Sequence, residues 1–384
     1  MKAFRNCIIA LIIILLGLFY LKYQLDCSNM HLGGTGSSTP DYCKPYKPKP
    51  IERTEEEKRV YQEEFAKENE FICRHEYRPE LSPETQQLYH YALYHDLHNM
   101  WVGKKNDAVW QNATIYYRIA AANGDYKANI RLQYLLSTGR VGLEERAETL
   151  EVLELNKKLA DSLLATAYYN LKGQLDSKYG VETLEKDTGW DLLHKAAQLG
   201  NREAQYVLGE LIRSLNDEDT KELRMELTKK LFQCASEQGE PNASLYLGIM
   251  HKDDKDYEKA VISFHQGVKN GSAQSALRLA DSFNSRTTMQ NKIDYLALLP
   301  DIEREFRYRA IKTYLSHHEH LQPKVPDLDK IVPLPPAKLP PWDGKIAFQR
   351  WFEGPSPEKP SDELMQKLAE KAGLDWQTGL PLKK

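Results

Sequence analysis

The chain lacks the short signatures that carry common chemistries. No GxSxG nucleophile elbow, P-loop, HExxH, or GxGxxG after a strand pattern occurs in its 384 residues. Hydrolase, nucleotide-binding and zinc-protease functions are therefore without the parts they need. A basic excess is missing too. Lys+Arg number 52 against 55 Asp+Glu, a formal net charge of -3, which argues against a nucleic-acid partner because phosphate neutralisation needs a cationic surface. Cysteine is scarce, five residues with no CxxC, so neither a disulfide mini-protein nor a thioredoxin-like motif is present. Clustered histidines offer no metal-ligand spacing either. Cys73, His75 and Glu76, then His90, His95 and His98, then His317, His318, Glu319 and His320 read as capping groups or solvated helix ends. No metal, cofactor or catalytic residue is expected.

Long apolar runs are also lacking, with one exception. Mean hydropathy is -0.61, yet between Arg5 and Lys22 lie sixteen uncharged, almost wholly apolar residues, 6–21. At about 1.5 Å per residue they span roughly 24 Å, and Lys22, Tyr20 and Tyr23 can extend the run into the interface. Lys2 and Arg5 place the short N-terminus in the cytoplasm. No small residues mark a cleavage site in LKYQLDCSNM, so residues 1–25 are expected to be an uncleaved inner-membrane anchor with the body in the periplasm. A cleaved signal peptide or a lipid anchor would export the body equally. Residues 26–70, with GGTGSSTP and KPYKPKP, read as a stalk. Four cysteines then lie in an oxidising compartment, where two disulfides allow three connectivities and buried thiols are the alternative. Cys27 and Cys43 flank the flexible stalk and can pair across it, which leaves Cys73 with Cys234.

Internal periodicity organises the centre of the chain. A Gly followed four residues later by a small residue recurs at Gly124/Ala128, Gly200/Ala204, Gly239/Ala243 and Gly271/Ser275. Asp161/Ala165 takes the same place midway between the first two. The markers step by 37, 39, 39 and 32 residues. An amphipathic pattern precedes each marker, as in WDLLHKAAQLG, and another follows, as in AQYVLGEL. The glycine ends one helix in a left-handed conformation and the alanine lets the second approach closely. A hairpin of this kind cannot bury its face alone, so the hairpins must stack. The pattern A-A-x-x-G-x-x-x-A followed by A-x-x-x-L-G resembles the Sel-1-like repeat, a relative of the tetratricopeptide repeat. The expected fold is all-α, a Sel-1-like helical-hairpin solenoid over residues 71–285.

Residues 286–384 differ, because 12 of the 19 prolines lie between Pro300 and Pro381. The run KVPDLDKIVPLPPAKLPPWDG is expected to be extended rather than helical. Its Val325, Ile331, Val332, Leu334, Leu339 and Trp342 make it an apolar strap capping the exposed end of the solenoid. A last helix is expected near Asp362–Lys371 behind an N-cap Ser361.

This tail, with FICRHEYRPELSP ahead of the repeats, resembles a bacterial family of exported Sel-1-like proteins that ends in V-P-L-P-P-A-K-L-P-P-W-D-G. The resemblance implies an immunity protein, encoded beside an antibacterial effector of the type VI secretion system, frequently a phospholipase or lipase, and binding it. On the concave face Tyr134, Tyr168 and Arg213 are the expected contacts, since tyrosine supplies large contact area at low entropic cost. A scaffold for envelope assembly would suit the solenoid equally. A cell-wall hydrolase would not, because the residues after Phe283 are too few and too Pro-rich for a lysozyme-like domain.

Overall fold

The computed structural model describes residues 53–100, 107–142, 145–180, 188–290 and 293–382. The apolar run 6–21, most of the expected stalk, and Cys27 and Cys43 lie outside these residues. No helix among the described residues is long and apolar enough to cross a membrane. Tyr61–Lys384 form one compact unit, and Met1–Val60 belong to another.

The first helix, α1 (Glu55–Glu68), lies within the segment expected as a stalk. Its start is encoded in Thr54-x-x-Glu57. Glu57 N donates to Thr54 Oγ1 at 3.3 Å while Thr54 N donates to Glu57 Oε2 at 2.8 Å, a reciprocal capping box. Farther along, Gln62 Nε2 donates to Asp219 O at 2.6 Å, and Phe65 packs on the cluster of Leu193, Leu208 and Leu231.

Helix α2 (Pro83–Asn99) is followed by five hairpins: α3 (Asp107–Ala122) with α4 (Tyr126–Ser137), α5 (Glu145–Leu159) with α6 (Leu164–Asp176), α7 (Thr188–Gln198) with α8 (Arg202–Ser214), α9 (Lys221–Glu237) with α10 (Pro241–Asp253), and α11 (Tyr257–Lys269) with α12 (Ala273–Ser282). Each helix packs on its neighbours in chain order, which is the all-α solenoid expected. There is no strand among the described residues, only an isolated bridge between Leu374 and Pro381. Ala128, Ala165, Ala204 and Ala243 are buried where two helices of a hairpin meet. The glycine of A-x-x-x-L-G serves the next hairpin. A Cβ at Gly209 would lie 2.6 Å from Phe232 Cε1, and one at Gly248 would lie 2.6 Å from Phe264 Cε1. These aromatic rings from α9 and α11 fill the space the glycines leave.

Four of the five hairpin turns share one device. Gly124, Gly200, Gly239 and Gly271 take positive φ, and the next residue caps the second helix: Asp125, Asn201, Glu240 and Ser272 each accept from a backbone N–H of the first turn. The fifth turn departs. Asp161 does not take a left-handed conformation, and the N-cap of α6 is Leu163, which offers no side-chain acceptor.

The C-terminal segment reaches both ends of the array, whereas the sequence suggested a cap on one. Helix α13 (Ile302–His317) packs on α12. Val325, Leu328, Ile331 and Val332 are buried with Phe264, Leu279 and Phe283, and Leu328–Ile331 form one helical turn, α14, rather than extended chain. Prolines contribute carbonyls but no N–H, so the acceptors of this segment need outside donors. Arg307 Nη1 donates to Ile331 O at 2.6 Å and to Pro340 O at 2.7 Å, and Arg304 donates to Pro333 O and Ala337 O. Beneath them, His265 Nε2 lies 2.7 Å from Asp329 Oδ1 and Nδ1 lies 2.8 Å from the Tyr308 hydroxyl. The carboxylate only accepts, so Nε2 donates to it and Nδ1 accepts from Tyr308. After α15 (Ala347–Phe352), α16 (Asp362–Ala372) returns to α3. Ser361 Oγ caps α16 by accepting from Leu364 N at 3.2 Å. Met365, Leu368 and Ala369 bury against Leu88, Tyr116 and Tyr117.

Candidate partner-binding site

The second helices of the hairpins carry an aromatic series, with Tyr134 on α4, Tyr168 and Tyr169 on α6, Tyr206 on α8 and Tyr246 on α10. Between α4 and α6 a cleft of about 830 Å³ opens, lined among others by the aromatic rings of Tyr134, Tyr169 and Tyr179 and by the amides of Gln133, Asn170 and Gln174. Tyr134 is 37% exposed, and the guanidiniums of Arg131 and Arg140 lie 4.7 Å and 5.7 Å from its ring. These contacts fix the ring without covering it.

Two of the lining amides belong to a hydrogen-bonded chain. Gln133 Nε2 donates to Asn129 Oδ1 at 2.7 Å, and Asn170 Nδ2 donates to Asn156 Oδ1 at 3.1 Å and to Gln133 Oε1 at 3.4 Å. Gln174 is only 7% exposed, and its Oε1 has no hydrogen-bond partner. Such a group is costly to leave unsatisfied.

The three residues expected as contacts do not converge. Tyr134 lines the cleft, whereas Tyr168 and Tyr169 both pack on the cluster of Leu193 and Leu208, and of the two Tyr169 also lines the cleft. Arg213 sits on α8, its guanidinium 5.1 Å from the Tyr246 ring and its Nη2 2.8 Å from Glu210 Oε2. Tyr206 stacks on Tyr246 with ring centroids 6.3 Å apart. Burial first, then the Glu210 carboxylate, pushes the Tyr206 hydroxyl up to about 12, so it stays protonated and able to donate at physiological pH. Sequence periodicity identified the helices but not which tyrosine reaches the cleft, because adjacent tyrosines look alike until the hairpins are stacked.

The segment ahead of the repeats holds the array from outside. Cys73 and Cys234 form a disulfide, with Cα atoms 5.6 Å apart. His75 joins them in a cluster within 4.8 Å, but the two sulfurs are bonded to each other, and His75 Nε2 lies 3.3 Å from Glu237 Oε2. Glu76 supplies the cap that Leu163 cannot. Its Oε1 accepts from Thr166 N at 2.8 Å and its Oε2 from Thr166 Oγ1 at 2.5 Å. The carboxylate at the N-terminus of α6 is also favoured by the helix dipole.

Residues 275–382 match the family described as Domain of unknown function (DUF6396), a match that opens inside α12 and so joins the last hairpin to the C-terminal segment buried against it. No curated protein matches the chain. Among solved structures, PA5086 of Pseudomonas aeruginosa is 26% identical, covers 69% of this chain and 95% of its own, and superposes with a TM-score of 0.51. The immunity protein Pa5087 of the same organism is 26% identical over 70% of this chain and 95% of its own, with a TM-score of 0.50. The immunity protein PA5088 gives 25%, 69%, 94% and 0.51. The chain thus shares its helical architecture, over most of its length, with P. aeruginosa proteins two of which are described as immunity proteins.

Proposed function

We propose that this protein is an immunity protein that binds a toxic antibacterial effector and blocks it by occupancy. The observation that carries the reading is its similarity to Pa5087 and PA5088 along 69–70% of the chain. The aromatic and amide-lined cleft supports it as a surface built for contact. Blocking by occupancy requires no catalytic group. It requires a large, preorganised face, and the disulfide, the Glu76 cap and the returning C-terminal segment keep the hairpins from splaying, which lowers the ordering cost of association.

The finer reading is that the effector is a phospholipase or lipase delivered by type VI secretion, and that residues 6–21 hold the protein at the periplasmic side of the inner membrane. It is supported by the V-P-L-P-P-A-K-L-P-P-W-D-G tail and by the apolar run. A lipase that attacks the inner membrane would then meet its inhibitor at high local concentration. The test expresses the effector encoded beside this gene in the periplasm, with and without this protein. Survival only in its presence, together with recovery of a stoichiometric complex, is the expected outcome. Equal killing in both cells, with no complex, would leave an envelope scaffold as the better reading. Fractionation tests the anchor separately, and a soluble mature form starting near Cys27 would refute it.

A further inference from the structure

Resting on the immunity reading, we infer that the cleft between α4 and α6 takes an extended, uncharged segment of the bound toxin and holds it by its main chain. Three features point to that occupant. The first is the donor set. Gln133, Asn170 and Gln174 are neutral amides, each carrying both donors and an acceptor, and a peptide main chain presents the same two groups in alternation. Gln174 Oε1 is buried without a partner, and a turn of this side chain toward the cleft it lines would let it accept an N–H. Asn170 and Gln174 are one turn apart on α6, roughly 6 Å, close to the ~6.6 Å that two residues of extended chain span.

The second feature is charge. The cleft's two ionised groups, Lys172 and Asp176, face each other across a 2.5 Å ion pair. They cancel, and of the two guanidiniums on the Tyr134 ring Arg131 is paired with Asp96, so the described lining residues carry no unpaired charge, with Arg140 a cation at the cleft's edge. Tyr134, Tyr169 and Tyr179 wall the site with surface that suits apolar side chains projecting from such a strand.

The third is Gly173, which lines the cleft between the two amides. A glycine inside a helix is destabilising relative to alanine, and packing does not explain it here. A Cβ built at Gly173 would meet nothing within 4 Å, in contrast to Gly209 and Gly248 on the neighbouring second helices. Nothing in the described fold requires the missing side chain. Close approach of a foreign backbone to α6 does.

Gly173 also makes the idea testable without harming the fold. Gly173→Ala and Gly173→Leu are expected to melt at or above the parent's temperature, and Gly173→Leu to bind the purified toxin encoded beside this gene roughly tenfold more weakly or worse. Asn170→Ala should weaken binding similarly, with circular dichroism unchanged. Among short overlapping peptides of that toxin, those the parent captures should lose binding when alternate main-chain nitrogens are methylated. If the parent binds the toxin and Gly173→Leu binds it equally well, the cleft assignment is overturned while the immunity reading stands. If the parent forms no complex and gives no protection, both fall.

Discussion

Gly124 and Gly200 occupy the same place in the repeat and take nearly the same backbone conformation, φ +92 and +103, yet alanine should cost very different amounts at the two. At Gly124 a Cβ meets nothing within 4 Å, so Gly124→Ala bears only the backbone term, about 1 to 2 kcal/mol. At Gly200 the Cβ would lie 2.5 Å from Glu76 N, 2.7 Å from His75 C and 2.9 Å from Arg74 O. These are backbone atoms, and the nearby Cys73–Cys234 bond limits how far they can retreat. A shift of residues 74–76 would break the bond from Glu76 N to Gly200 O at 3.2 Å and that from Gln205 Nε2 to Arg74 O at 2.9 Å. It would also withdraw the Glu76 carboxylate from Thr166. A lost cap costs about 0.5 to 2 kcal/mol and each hydrogen bond about 0.5 to 1.5, so with the backbone term Gly200→Ala should total about 2.5 to 7 kcal/mol. Urea titration followed by circular dichroism measures the difference between the variants. Because repeat arrays can unfold in parts, hydrogen exchange at the Thr166 amide supplies a local readout. That amide should lose protection in Gly200→Ala and keep it in Gly124→Ala. Equal urea midpoints, with Thr166 protected in both, would refute the argument that the N-terminal segment is what makes Gly200 costly.

Three further outcomes follow from other contacts. Cys73→Ser removes a cross-link closing a sequence separation of 161 residues and should cost about 2 to 4 kcal/mol; mass spectrometry of unreduced peptides first verifies the bond in the parent. Burial, partly opposed by the hydrogen bond to Asp329, holds the His265 imidazole below its ordinary value. The neutral ring therefore contributes stability above the unfolded value of about 6.5, and that contribution is lost as pH falls through the lower folded value. The urea midpoint should drop on acidification across this window, and His265→Gln, less stable at neutral pH, should lack that part of the drop. Arg307→Met leaves Ile331 O and Pro340 O without their buried donor, at about 3 kcal/mol, and limited proteolysis should then cut between residues 333 and 346 where the parent resists.

The repeat was legible in the sequence because its period, its helix-ending glycines and its buried alanines are local rules that hold wherever a hairpin of this kind is built. Four of the stacked hairpins could be read from Gly124, Gly200, Gly239, Gly271 and their following small residues alone. Even the helix at Glu55–Glu68 was written locally, in Thr54 and Glu57, although the surrounding polar composition looked like spacer. What no local rule contains is which segment lies against which turn. The four glycines are equivalent in sequence, yet a side chain at Gly124 would meet open space, one at Gly200 the backbone of residues 74–76, and one at Gly271 the Pro323 carbonyl at 2.4 Å. The cap of α6 comes from Glu76, 90 residues away. The C-terminal segment closes on α3 as well as on α11 and α12, because its apolar residues bury wherever complementary surface remains uncovered. The same holds at the cleft. Tyr168 and Tyr169 are neighbours with equal claims in the sequence; both reach the apolar cluster of α7 and α8, and only the tertiary packing sets Tyr169 at the cleft as well.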